Sequence, residues 1–198
     1  MPKQPVLVTA PAEEPVSLDE LKDHLAETDS SFDKTITELG VAARVYVEDT
    51  LWRALRPQTW DQYFDRFAAK MFLRRPPLAT SNAITHVKYT NTAGTVVTVG
   101  STVYETGDED GVPLIRPQYS QTWPSGARGH PDDVVVRTIV GYGSTAGAAI
   151  DVPGPLRHAI KLLVGDMYAH RETEVTGTSV ARIGTFDSLV APYRVRHV

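Results

Sequence analysis

The sequence predicts an α+β fold, a small helical bundle with an inserted antiparallel β-domain, an extended N-terminal arm and a C-terminal tail. Two observations predict this class. Apolar residues recur at helical spacing near both ends of the chain, in 17–56 and 155–172. The strand-like segments form one block between them, at 57–143. Because alternating strands and helices are typical of doubly wound parallel sheets, an unbroken strand block favours α+β.

Composition and charge set the broad class of protein. The chain has 198 residues, of which 41% are hydrophobic and 22% charged, and this is typical of a globular protein with a buried core. A net charge of −4 argues against a protein that reads nucleic-acid sequence, which needs a basic surface. The sequence has no cysteine, so disulfides and Cys-based zinc sites are excluded. It also shows neither a membrane-spanning apolar run nor a signal-peptide core, and we expect folding in a cytoplasm.

The first part of the chain predicts an arm and two helices. Residues 1–16 contain four prolines and are expected to be an extended arm. Ser17 and Glu20 have the spacing of a capping box and should begin the first helix. Pro57 should end the helical part, which spans 17–56. The apolar face of the first helix comprises Leu18, Leu21 and Leu25, and that of the second comprises Phe32, Ile36, Leu39, Ala43, Tyr46 or Val47, and Leu51.

The block at 57–143 predicts five or six strands. A strand is expected in 59–67, followed by a break at "LRRPPL" because proline cannot donate to a sheet. Two hairpins are expected, one in 83–99 with its turn at Asn91–Gly94 and one in 102–117. The β-branched run "DVVVRTIVGY" indicates the last strand.

Helix returns after this block. The spacing predicts a helix from Pro155 to Glu172, with the preceding loop in a segment that spans 144–175. Its apolar stripe is Leu156, Ile160, Leu163, Val164 and Met167. Residues 176–198 are left as a C-terminal docking segment.

A glycine-rich turn raises the alternative of a nucleotide-binding enzyme. Gly141, Gly143 and Ala146 spell G-x-G-x-x-A after a strand, the pattern of a dinucleotide site. Such a site needs a helix that begins at the turn, so that its N–H groups face the phosphates. Proline restricts the helix start to the neighbourhood of Pro155, which is too late. The pattern therefore favours glycines that let a strand leave the sheet.

Other residue patterns for catalysis or metal binding are incomplete. "TGDEDG" resembles the start of a calcium loop, but Pro117 occupies the position of its bidentate glutamate, so a hairpin tip is favoured. His170 with Glu172 and Glu174 is more typical of a polar helix end than of a metal site. Serine elbows and P-loops are absent from the sequence. We therefore predict no enzyme activity, no catalytic residues, no cofactor and no metal.

The C-terminal residues are the candidate docking site. The basic segment "PYRVRHV" in an acidic chain has two interpretations, ordinary solubilising charge and docking to a partner. Under the second, the segment is extended and adds a strand to a partner's exposed sheet edge. The predicted docking residues are Pro192, Tyr193, Arg194, Val195, Arg196 and Val198.

The strand end "VRTIVGYG" is followed by the step Val152, Pro153, Pro155, and by a helix with Leu156, Arg157, Ala159, Ile160, Tyr168, Arg171 and Glu172. In this order the segments resemble the head–tail connector (adaptor) proteins of long-tailed bacteriophages and gene transfer agents. The segments "EPVSLDELKDHL", "AARVYVEDTLWRAL", "QTWDQYFDRF", "LRRPPL", "TWP" and "LVAPYRV" also fit, and Gly165 and Asp166 depart from the pattern. No single motif is specific, but their order is.

The resemblance implies a structural virion protein at the neck. Such proteins form a homo-oligomeric ring matched to the portal, a dodecamer in this family, between the portal protein and a tail-side stopper or tail terminator protein. The ring extends the channel through which genomic DNA passes without sequence-specific binding. The resemblance implies assembly in the host cytoplasm, location in the virion and no contact with a membrane. Another neck or tail-completion ring protein is the alternative.

Overall fold

A computed structural model describes residues 3–80, 82–143, 152–170 and 184–195, and it confirms the α+β class. The chain divides into two compact units. The first, here the β unit, comprises Met1–Ala12 and Arg56–Ile150, and the second, the helical unit, comprises Glu13–Leu55 and Asp151–Val198. Each unit is therefore built from two separate stretches of sequence.

The described residues contain eight strands and four α-helices. The strands are β1 (Val6–Thr9), β2 (Gln58–Phe64), β3 (Met71–Phe72), β4 (Ile84–Thr90), β5 (Val96–Val99), β6 (Tyr104–Glu109), β7 (Val112–Pro117) and β8 (Val134–Val140). The helices are α1 (Leu18–Leu25), α2 (Asp33–Leu51), α3 (Gly154–Ala169) and α4 (Gly184–Val190), and short 3₁₀ helices span Ser30–Phe32 and Ala191–Tyr193.

The β unit consists of two antiparallel sheets. The five-stranded sheet has the order β1-β2-β8-β4-β5 and the three-stranded sheet the order β3-β7-β6. Along β8 the side chains alternate between buried and half-buried, so one face of the larger sheet is turned to a core. The core cluster contains Met71, Leu73, Val87, Val99, Ile115, Val134 and Val136. Residues from both sheets therefore share one hydrophobic core.

Both predicted hairpins are confirmed. In the first, the Asn91 side chain accepts hydrogen bonds from the backbone N–H groups of Ala93 and Thr95, and it thereby closes the turn between β4 and β5. In the second, "TGDEDG" forms the tip between β6 and β7, where the Asp108 carboxylate accepts a bond from the Gly111 N–H. The two-residue strand β3 was not predicted, because so short a segment shows no alternation.

The N-terminal segment is extended, as expected, but it is not a free arm. Val6–Thr9 forms β1 and pairs antiparallel with β2, with Val6 opposite Asp61. Over Thr59–Asp61, strand β2 is therefore paired on both sides, with β1 and with β8. Residues 6–9 are therefore held by a strand of the same chain.

Gly141, at the end of β8, has a structural role that explains part of the glycine-rich turn. Its φ of +121° lies in the region that favours glycine, and a Cβ there would lie 2.1 Å from the Arg56 carbonyl oxygen. The chain therefore passes directly against the backbone at Arg56 and Pro57.

In the helical unit the predicted start of α1 is confirmed. Ser17 accepts a hydrogen bond from the Glu20 N–H, and Glu20 accepts one from the Ser17 N–H, which completes the capping box. The Arg157 guanidinium also contacts both Glu20 carboxylate oxygens, at 2.6 and 2.7 Å, and so joins α3 to the start of α1. The Ser17 backbone bond is the largest cause that lowers the Glu20 pKa, and Arg157 lowers it further against the effect of burial.

The apolar stripe of α2 is largely as predicted. Ile36, Ala43, Val47 and Leu51 are buried, whereas Tyr46, the alternative to Val47, is exposed. The sequence did not predict that Arg44 and Glu48 are also buried. Arg44 contacts Glu14 at 2.7 Å and Glu48 at 2.9 Å, so each charge has an opposite charge beside it.

The third helix begins one residue before the predicted start, at Gly154, with Pro155 in its first turn as expected. It ends at Ala169, and the predicted end at Glu172 lies outside the described residues. Helix α4 was not predicted. Its residues lie in the predicted docking segment and form only a weak apolar pattern, since two of the seven, Phe186 and Val190, are buried.

We predict that Gly141→Ala destabilises the protein by more than about 2 kcal/mol, because the substitution adds both backbone strain and a clash with the Arg56 carbonyl. Urea unfolding measures the difference. Gly94→Ala is the matched control, since Gly94 also has a positive φ but nothing lies within 4 Å of its Cβ position. Equal losses in the two variants would contradict the role assigned to the close approach.

We predict that Glu20 makes a pH-dependent contribution to the stability of the folded protein. Because its pKa is lowered in the folded state, the ionised group stabilises the fold above the usual glutamate pKa of about 4.3. This contribution is lost as the pH falls through the lowered folded-state pKa. The difference in unfolding free energy between the wild type and Glu20→Gln should therefore be present at neutral pH and shrink in acid. If the unfolding free energies of the two proteins change in parallel from neutral to acid pH, this role of Glu20 is contradicted.

Candidate functional site

The candidate docking residues belong to a segment that folds back on the helical unit. Phe186 and Val190 are the buried residues of α4, and the Phe186 ring lies 5.8 Å, centroid to centroid, from that of Tyr46 on α2. The chain then continues directly into the 3₁₀ helix Ala191–Tyr193. The aromatic side chain of Phe186 and the aliphatic side chain of Val190 thus anchor the segment that precedes the docking residues.

Hydrogen bonds join this segment to the last turn of α2. Arg53 donates from Nε to the Tyr193 carbonyl at 3.0 Å. In the opposite direction, Arg194 donates from Nε to the Thr50 carbonyl at 3.2 Å, and the Val195 N–H donates to the Leu51 carbonyl at 3.1 Å. The expectation of an extended segment is therefore wrong for Pro192 and Tyr193, which lie in the 3₁₀ helix.

The end of a helix explains this conformation. The last four carbonyl groups of an α-helix have no partner within the helix. Two of those in α2, at Thr50 and Leu51, accept bonds from Arg194 and Val195. The positive charge of Arg194 also lies at the negative end of the α2 dipole, which is favourable. The segment folds back onto α2 because it donates hydrogen bonds to carbonyl groups that have no partner within the helix.

The structure describes four of the six predicted docking residues. Pro192 and Tyr193 lie in the 3₁₀ helix, Arg194 and Val195 follow it, and Arg196 and Val198 lie outside the described residues. The docking role of all six remains a prediction.

The residues considered for other chemistry do not come together in the described part of the chain. Gly141 and Gly143 have positive φ, but α3 begins only at Gly154, and Ala146 lies outside the described residues. His170 contacts the Asp166 carboxylate at 3.3 Å, whereas Glu172 and Glu174 lie outside the described residues. Over residues 3–80, 82–143, 152–170 and 184–195, no three acidic or histidine side chains are grouped to hold a metal ion. Within the same ranges, no helix has the length and apolar content to cross a bilayer.

Exposed apolar residues are the surface feature that sequence reasoning missed. The residues concerned are all more than a third exposed: Val41 and Val45 on α2, Trp52 just after it, and Val6, Leu7 and Val8 in β1. A pattern analysis assigns apolar residues in regular structure to the core, so these were overlooked. The available signal was that Val41 and Val45 lie off the predicted apolar stripe of α2.

Comparison with known proteins gives matches among solved structures only. No known family model and no curated protein sequence matches the chain. Over 99% of its length the chain superposes on 97% of a chain from "Neck of empty GTA particle computed with C6 symmetry", with a TM-score of 0.77 and 20% identity. A chain from "Virion of native gene transfer agent (GTA) particle" gives 0.76 at 20% identity, and one from "Neck of native GTA particle computed with C12 symmetry" gives 0.74 at 19%, each with the same coverage. The protein therefore shares its whole fold with these chains.

We predict that removal of residues 192–198 lowers the stability of the helical unit by about 1–3 kcal/mol, since the hydrogen bonds to the Thr50 and Leu51 carbonyls and the bond from Arg53 to the Tyr193 carbonyl are lost. Thermal and urea unfolding of the truncated chain would show the change. Removal of 196–198 alone is the matched control, because it keeps all three hydrogen bonds. A truncated chain as stable as the control would contradict the helix-end role.

Proposed function

We propose that the protein is a structural component of the neck of a tailed-phage or gene-transfer-agent particle. In this proposal it is a head–tail connector that forms a ring between the portal and the tail and extends the DNA channel. The observation that carries the proposal is the match of the whole fold to chains of GTA particles, two of them from necks. The sequence segments that resemble adaptor proteins, taken in their order along the chain, independently support a position in the neck.

The ring is the second part of the proposal. Two of the matching chains come from necks computed with C6 and C12 symmetry, which motivates a cyclic assembly. A cyclic ring with more than two members uses heterologous contacts, in which one surface of each copy meets a different surface of the next. The partners proposed for the two faces of the ring are the portal protein and a tail-side stopper or tail terminator protein.

DNA would pass through such a ring without being read. A net charge of −4 suits this role, because a strongly basic lumen would hold the passing phosphates. In the proposal the protein has no catalytic function, and its location is the neck of the virion.

The test is binding of the purified chain to isolated portal rings, followed by native mass spectrometry. We predict saturation at one copy per portal subunit. Absence of binding by a folded chain would contradict the portal-side position and leave a later tail-side ring to be tested with tail terminator rings.

We further predict that the C-terminal residues contribute to portal binding. Removal of 196–198 should weaken binding without a loss of stability, because the bonds to α2 remain. Removal of 192–198 should weaken binding further. Unchanged affinity in both truncated chains would refute docking through this segment.

A further inference from the structure

The contact between α1 and α3 carries a cluster of titratable side chains that the proposed function does not use. The rings of His24 on α1 and His158 on α3 lie edge to face, with their centroids 6.2 Å apart. Lys161, three residues after His158, is close enough to His24 for its charge to affect protonation of the ring. The contact therefore brings together one lasting positive charge and two groups that become positive in mild acid.

The ring of His24 lies against one side of α3. A Cβ atom at Gly165 would lie 3.7 Å from Nε2 of His24, so the ring is in contact distance of the helix at this glycine. His158, Lys161 and Gly165 follow one another at helical spacing and share one side of α3. His24 therefore contacts α3 along the row that carries both cationic side chains.

The nearest carboxylate on α1 already has cationic partners. Glu20 lies one turn before His24, and its carboxylate contacts Arg157 at 2.6 Å and Lys161 at 3.5 Å. This group therefore holds the start of α1 to α3.

The other charged groups around α1 are also paired. Glu27, two residues after the end of α1, accepts a hydrogen bond from the Tyr168 hydroxyl of α3 at 2.8 Å. Toward α2, Lys22 contacts Asp33 at 2.6 Å. The two charged groups that act on His24 both belong to α3, and both are positive when protonated.

Protonation of His24 therefore opposes folding. Burial is the largest cause that lowers the pKa of His24, and the charges of His158 and Lys161 lower it further. Because the folded-state pKa lies below the usual histidine value of about 6.5, the contribution to stability is complete above about pH 6.5. It falls as the pH decreases through the lowered folded-state pKa. Both histidines are exposed residues, so water screens the repulsion and the effect is modest.

We propose that mild acid weakens the contact between α1 and α3 at the end of α1 that carries His24. The weakening concerns the helical unit alone and is independent of the proposed ring. Glu20 stays ionised in mild acid because its pKa is lowered, so Arg157 continues to hold the start of α1. The two ends of α1 therefore respond at different pH, the histidine end first and the Glu20 end only in stronger acid.

NMR titration of the His24 ring, assigned by the signal that His24→Gln removes, tests the repulsion directly. We expect His24 to titrate below about pH 6.5 in the wild type and at a higher pH in His158→Gln and in Lys161→Gln, because each variant removes a positive charge. His130→Gln, which removes a histidine from the segment before β8, is the matched control and should leave the titration unchanged. An unchanged titration in both α3 variants would overturn the proposal.

Hydrogen exchange locates the weakening along α1. The Glu27 N–H donates to the Lys22 carbonyl at the end of α1, whereas the Leu21 N–H donates to the Ser17 carbonyl at its start. We expect the protection factor of the Glu27 N–H to fall about threefold from about pH 7.5 to about pH 5.5, the factor for two unit charges 6.2 Å apart in water. The protection factor of the Leu21 N–H should not change over this range.

Each outcome of the exchange experiment decides the proposal. A fall at Glu27 that disappears in His158→Gln supports it. Equal falls at both ends of α1, or equal falls in the wild type and in His158→Gln, would overturn it, as would protection that does not change with pH. Because His158 and His24 are exposed, we expect the variants to fold, and far-UV circular dichroism at neutral pH checks this.

Discussion

The helical unit depends on one buried pair of opposite charges. Arg44 and Glu48 lie one turn apart on α2 and are 7% and 3% exposed. Burial by itself lowers the pKa of Arg44, but Glu14 and Glu48 outweigh this effect and hold the pKa above its usual value. The loss of Arg44 would remove the opposite charge beside the buried Glu48 carboxylate, a cost of about 3–5 kcal/mol. The loss of Glu48 would leave Arg44 with Glu14.

The Glu48 carboxylate also positions the chain after the end of α2. Its second oxygen accepts a hydrogen bond from the Leu55 N–H at 2.8 Å, after Trp52 has ended the helix in a left-handed conformation. Glu14, on the other side of Arg44, fixes the residues before α1. One guanidinium and one carboxylate therefore organise both the approach to α1 and the exit from α2.

The β unit also contains a pair of opposite charges, which joins the neighbouring strands β2 and β8. Asp61 and Gln62 are neighbours in β2, so their side chains leave opposite faces of the sheet. On one face Asp61 forms two 2.7 Å bonds with Arg137 of β8, and Arg137 is the main reason that its pKa is lowered. On the other face Gln62 bonds to Thr138 and to the backbone of Arg74, which positions the segment before the Pro76–Pro77 pair. Side-chain hydrogen bonds thus join β2 and β8 on both faces, and among the described strands β1 and β5 are the edges of this sheet.

The sequence by itself determined the α+β class, the capping box at Ser17, both hairpin turns and the late start of α3, because each depends on residues close together in the chain. It did not determine the position of β1, the fold-back of Tyr193 to Val195, the burial of Arg44 and Glu48, or the exposure of Val45 and Trp52. These depend on partners remote in sequence: an edge of β2, the unpaired carbonyls of α2, and neighbouring elements that cover one side of a helix and leave the other open. Local propensity specifies elements, but only packing decides which of their polar groups find partners and which apolar side chains remain at the surface.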